Sequence, residues 1–141
     1  MSNHDLSRFT QMHQIDFETA LSEIKSGKKE SHWMWYIFPQ IHGLGTSSTA
    51  QYYAIRSTDE ARAFLADDYL CNNLVTICNA LLNLESSNAV QIFGFVDTLK
   101  MKSSMTLFAY VSEENSVFDK VLEKYFNGTK DSVTLRIIGA L

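Results

Sequence analysis

The side chains whose types could do chemistry are the polar ones set among apolar neighbours: His32, Gln40, His42, Ser47, Tyr53, Asp97, Lys100, Ser103, Ser104 and Thr106. Histidine and carboxylate groups can move protons, lysine can hold an anion, and hydroxyl and amide groups can read a ligand's donors and acceptors. His32 and Asp97 are the candidate acid/base residues. No metal is expected, because the histidines at positions 4, 13, 32 and 42 offer neither a helical pair with a general base nor a Cys-x-x-Cys partner. Gly43-Leu44-Gly45 carries two glycines of a dinucleotide fingerprint, but lacks the third glycine and the strand–turn–helix setting. Gly-x-Ser-x-Gly is absent, and Ser103-Ser104 with distant histidines make no triad that spacing can establish. No cofactor is implied, and no reaction is spelled out.

Each polar group buried without a partner costs about 1–3 kcal/mol. These groups must therefore pair with one another or with a ligand. In the internal account Asp97 caps a helix, Lys100 neutralises it, and Ser103 and Ser104 bond back to the preceding turn. In the functional account they converge on a pocket walled by Trp33, Trp35 and Tyr53. Those rings suit stacking on a planar group, while Lys100 and the turn from Gly43 through Gly45 to Ser47 suit an anionic one. The ligand expected is small, anionic and nucleotide-like, with Gln40, Ser103, Ser104 and Thr106 supplying hydrogen bonds. The rival is a non-catalytic interaction module in which the aromatic stretch docks a protein or peptide.

The elements that must position these groups read as helices. The stretch Ser31-His32-Trp33-Met34-Trp35-Tyr36-Ile37-Phe38-Pro39-Gln40 holds both tryptophans and the chain's proline. Its apolar run is compatible with a helix or a strand, and a short buried helix stopped by Pro39 suits its surroundings. Before it, Phe9, Met12, His13, Phe17, Leu21 and Ile24 form a helical stripe behind a possible cap at Asp5, with His13 expected at the core edge and its tip in water. Lys25, Lys28 and Lys29, flanked by Glu23 and Glu30, suggest a solvated loop. After Pro39 come a helix over Thr49–Ile55, a capping box Ser57-Thr58-Asp59-Glu60 opening another, and a strong stripe of Leu70, Leu74, Ile77 and Leu81 capped by Asp67 or Asp68. Short helices follow through Val90–Phe93, behind Asp97, behind Asn115 or Ser116, and from about Asp131. The Asp97–Val111 segment mixes apolar and polar residues in a way amphipathicity does not explain. Sustained alternation and internal repeats are both absent. The fold expected is mainly α, a compact multihelical single domain spanning residues 1–141.

At 141 residues, 45% hydrophobic, the chain can bury one sizeable core. A net charge of -4 argues against a protein that binds nucleic-acid duplexes by neutralising phosphates. Cys71 and Cys78, about 10 Å apart on one helix face, suit apolar core positions in a reducing cytoplasm rather than a disulfide. No signal peptide or membrane span is evident, so a cytoplasmic location is expected. The oligomeric state is left open.

Several of these stretches also carry a resemblance. Ser31-His32-Trp33-Met34-Trp35, Ile37-Phe38-Pro39-Gln40, Gly43-Leu44-Gly45-x-Ser47, Tyr53-Ala54-Ile55, and Asp97 through Lys100 to Ser103-Ser104-Met105-Thr106-Leu107-Phe108 resemble the signature of the DUF1810 family, small proteins of unknown function. The resemblance runs from Asp5 to Asp131 and implies a mainly helical domain, with no established activity. Met12-His13 departs from the family's usual Ala-Gln, Asp67-Asp68 from His-Pro, and Phe95-Val96 from a proline before Asp97. The order of Phe38-Pro39, Tyr52-Tyr53 and a lysine-bearing helix is also similar to the NADAR proteins, which act on ADP-ribose conjugates; that likeness implies an ADP-ribose-type ligand.

Overall fold

A computed structural model describes residues 4–140. In chain order its helices are α1 (Ser7–Lys25), α2 (Met34–Ile37), α3 (Ser48–Tyr53), α4 (Thr58–Ala66), α5 (Asp68–Asn83), α6 (Ala89–Phe93), α7 (Phe95–Tyr110), α8 (Val117–Phe126) and α9 (Ser132–Ile137). The mainly α, single-domain expectation is met, and the β pairing among the described residues is an isolated parallel bridge between Ile41 and Ile55.

Local chemistry sets most helix starts. Ser47, Ser57, Asp67, Asn88, Ser116 and Asp131 each accept a backbone N–H two or three residues into the helix they precede. Other expected caps are different. Leu6 stands at the N-cap of α1, while Asp5 accepts the Ser7 N–H from just outside. Only half of the capping box forms: Ser57 accepts the Glu60 N–H, but the Glu60 carboxylate turns inward to Arg8 at 2.6 Å and takes the Arg56 N–H at 3.0 Å. Gly94, at φ +80°, is the N-cap of α7, which places Asp97 inside the first turn instead of at the cap.

Helix α5 packs between α1 and α8, and α7 lies against α8 with α4, α6 and α9 around it. This explains the pattern of α7 that amphipathicity could not. From Ser103 to Ala109 every residue is buried, so this half of the helix has no solvent stripe to alternate against. Its small residues Ser103, Ser104 and Thr106 let neighbouring helices approach closely. Among the described residues no helix is long and apolar enough to cross a membrane. Both cysteines are free, Cys78 buried and Cys71 half-buried.

Candidate functional site

The tryptophan block divides at its short helix. Successive helical residues are turned by about 100°, so Trp33 and Trp35 face roughly opposite ways. Trp33 is fully buried, and its indole Nε1–H donates to Glu23 Oε1 at 2.9 Å. Glu23 also takes the N–H groups of Glu30 at 2.7 Å and Ser31 at 2.9 Å, and the Ser31 hydroxyl at 2.5 Å. Burial opposes ionisation of this carboxylate, but its four donors outweigh that and hold the pKa at about 2. Trp33 is therefore sealed and offers no face to a ligand, which corrects its placement in the pocket wall. Met34, Tyr36, Ile37 and Phe38 are likewise buried, which leaves Trp35 as the half-exposed ring of this stretch.

Two neighbouring polar groups complete the seal. Tyr36 donates its hydroxyl proton to Asp16. His13, expected at the core edge, is instead 1% exposed: its Nε2 lies 2.8 Å from the Tyr36 carbonyl and its Nδ1 3.1 Å from the Asn73 amide. The carbonyl can only accept, which assigns the neutral Nε2–H tautomer, with Asn73 donating to Nδ1. Desolvation lowers the pKa of this histidine.

Trp35 is half-buried, with the Lys100 ammonium 4.9 Å above its ring. Lys100 Nζ stands 3.5 Å from Asp97 Oδ1, and Lys29 Nζ stands 2.9 Å from Asp97 Oδ2. The lysine cluster read as a solvated loop thus contains a residue drawn inward. Lys29 also donates to the Ser31 carbonyl at 2.6 Å and lies over Trp33. Asp97, neutralised by two ammonium groups, is placed as an anchor for α7, the opposite of a free general base. His32 is exposed and lines none of the cavities described here.

What remains open is a groove of about 250 Å³ lined by Gln40, Leu44, Gly45, Val96, Leu99, Lys100, Ser103, Asp131 and Val133. It joins the turn after Pro39 to α7 and to the cap of α9. Gln40, Gly45, Lys100 and Ser103 of the expected set meet there. Gly43 and Tyr53 face an adjoining cleft with room for about 10 Å³, a single water at most. Ser47 caps α3. Thr106 is buried, donates to the Lys102 carbonyl at 2.8 Å and accepts the Asp131 N–H at 2.9 Å. Ser104 is fully buried and its hydroxyl has no partner among the described residues. Neither reaches the groove. His42 faces a separate hollow of about 330 Å³ with Arg56, Ser57 and Thr58.

The shared features of sequence and fold now have a counterpart among known proteins. The model of a family described as "Protein of unknown function (DUF1810)" matches residues 3–138. The chain belongs to the DUF1810 family. Its structure is similar to the crystal structure of the conserved hypothetical protein Rv1873 from Mycobacterium tuberculosis, with a TM-score of 0.94 and 36% identity over 99% of this chain and 100% of that one. No curated protein matches. The match takes in both the tryptophan block and the α7 segment.

Sequence reasoning missed Asp131 as a groove residue, along with Val96, Leu99 and Val133. Asp131 carried a signal only as a helix cap, and the three apolar residues are exposed side chains of α7 and α9. Among the described residues no group of three His, Cys, Asp or Glu side chains could hold a metal ion.

Proposed function

We propose that the Gln40–Lys100–Asp131 groove binds a small anionic, nucleotide-like ligand. The observation that carries this reading is the setting of Lys100. Its ammonium rests on Trp35 and shares Asp97 with the more buried Lys29, so two cations face one carboxylate and the cluster keeps a positive charge at the groove wall. Leu44, Val96, Leu99 and Val133 supply apolar surface for a ring, and Gln40, Ser103 and Asp131 supply hydrogen-bonding groups. Stacking on Trp33 and proton transfer by His32 or Asp97 form no part of the reading, since the first is sealed and the others are exposed or ion-paired.

The test is calorimetry and thermal shift with adenosine monophosphate, ADP-ribose and NAD against the wild-type chain and Lys100→Gln. Heat and a raised melting temperature with at least one of them, both lost in the variant, are expected. Absence of heat with all three, together with identical melting of wild type and variant in their presence, overturns the proposal.

A further inference from the structure

The groove's hydrogen-bonding groups are directional, and their direction follows from one carboxylate. Asp131 Oδ2 accepts from the Thr134 backbone N–H at 2.9 Å and from the Thr134 hydroxyl at 2.6 Å. The single hydroxyl proton of Thr134 is thereby committed. Ser103 Oγ lies 2.7 Å from Thr134 Oγ1, where either atom could donate on geometry alone. With Thr134 already donating to Asp131, Ser103 must donate to Thr134. The chain of donation runs from Ser103 through Thr134 to Asp131, and all three are held in place, Ser103 and Thr134 being buried.

The consequence is a groove with two unlike corners. Lys100 can only donate. Asp131 Oδ1, which accepts from none of the described residues, can only accept, and the committed Ser103 hydroxyl can offer a ligand nothing but lone pairs. A ligand with acceptors at both ends would leave the second corner unpaired and would repel the carboxylate. A ligand fitting both corners carries an anionic group for Lys100 and hydroxyl donors for Ser103 and Asp131.

We infer that the ligand is a hydroxylated phosphate ester, its phosphate held by Lys100 and its hydroxyl groups by Asp131 and Ser103. This rests on the ligand-binding reading above and narrows it to a class. Lys100 disfavours an ammonium in the same groove by like-charge repulsion, whereas hydroxyl donors can pair with Ser103 and Asp131 without it.

The experiment compares ribose phosphate, inorganic phosphate, adenosine monophosphate and glycine by NMR titration of the wild-type chain, Asp131→Asn, Ser103→Ala and Lys100→Gln, with melting curves to confirm folding. Ribose phosphate is expected to bind at least about tenfold more tightly than inorganic phosphate. Asp131→Asn and Ser103→Ala should shrink that ratio while leaving inorganic phosphate binding in place, and Lys100→Gln should abolish binding of both. Equal affinity for the two phosphates, an unchanged ratio in Asp131→Asn, or preferential binding of glycine overturns this inference and leaves anion binding standing. If neither phosphate compound nor adenosine monophosphate perturbs any groove resonance, the binding reading and this inference fall together.

Discussion

Ser31, Trp33 and Tyr36 spend their polar groups inside the protein, whereas Gln40 and the turn at Leu44 and Gly45 border an open groove. Glu23 gathers the Ser31 and Trp33 donors, and Asp16 takes the Tyr36 hydroxyl. Past Pro39, Gln40 and Gly45 face Lys100, Ser103 and Asp131. The two regions adjoin in sequence and are equally distinctive there. Aromatic density marks the part that is core. The less conspicuous glycine turn borders the part left open.

The largest effect expected of this division is a contrast between the two tryptophans. Trp33→Ala should cost about 3–5 kcal/mol of unfolding free energy, by analogy with other fully buried aromatic truncations. Trp35→Ala removes a half-buried ring and should cost about 1–2 kcal/mol, but it also removes the seat of Lys100 and should weaken ligand binding. Urea denaturation with calorimetry on both variants checks the contrast. Equal stability losses, or tighter binding in Trp35→Ala, would break it.

A smaller effect concerns acid stability. The folded-state pKa of Glu23 is depressed from its ordinary 4.5 to about 2. Its contribution is therefore fully present above pH 4.5 and is lost as the pH falls toward 2, because the unfolded chain takes up the proton first. Glu23→Gln should cost about 1–2 kcal/mol at neutral pH and flatten the stability profile through that window. His13 acts in a higher window with the same sign. Its lowered pKa makes the folded state resist protonation, so its contribution declines as the pH falls below the usual 6.5. His13→Gln keeps a donor and an acceptor and should be tolerated.

Much of the helical framework was legible because its signals are local. A hydroxyl or carboxylate bonding three residues ahead is readable from Ser57, Asp67, Ser116 and Asp131 without knowing the fold. Groups whose partners come from afar were not legible. Lys29 finds Asp97 only when the loop after α1 meets α7, and Ser103 finds Thr134 only when α9 folds back on α7. The candidate site was recovered in part, through Gln40, Gly45, Lys100 and Ser103. Its far wall comes from Asp131 and Val133, residues that look like an ordinary helix start.

The turn itself can be tested through Gly45. A Cβ there would stand 2.5 Å from the Cβ of Ala50, a distance that forces the turn away from α3. Gly45→Ala should cost about 1 kcal/mol and weaken ligand binding, since the displaced turn carries Leu44 and abuts Gln40. A variant of unchanged stability and affinity would show that the turn adjusts freely and does not shape the groove.

The smallest effect separates two adjacent serines. Ser103 and Ser104 differ by one helical step, yet Ser103 donates to Thr134 at the groove and Ser104 points a hydroxyl into the core with no partner. Removing an unpaired buried hydroxyl relieves a desolvation cost without breaking a bond, and the methyl left behind fills nearly the same space. Ser104→Ala should thus leave binding unchanged and hold or raise stability, by up to about 1 kcal/mol, while Ser103→Ala should leave the fold intact and alter ligand preference. If Ser104→Ala instead lowers the melting temperature, its hydroxyl has a partner such as an internal water, and the sealed side of α7 is less fully paired within the chain than the open side it is contrasted with.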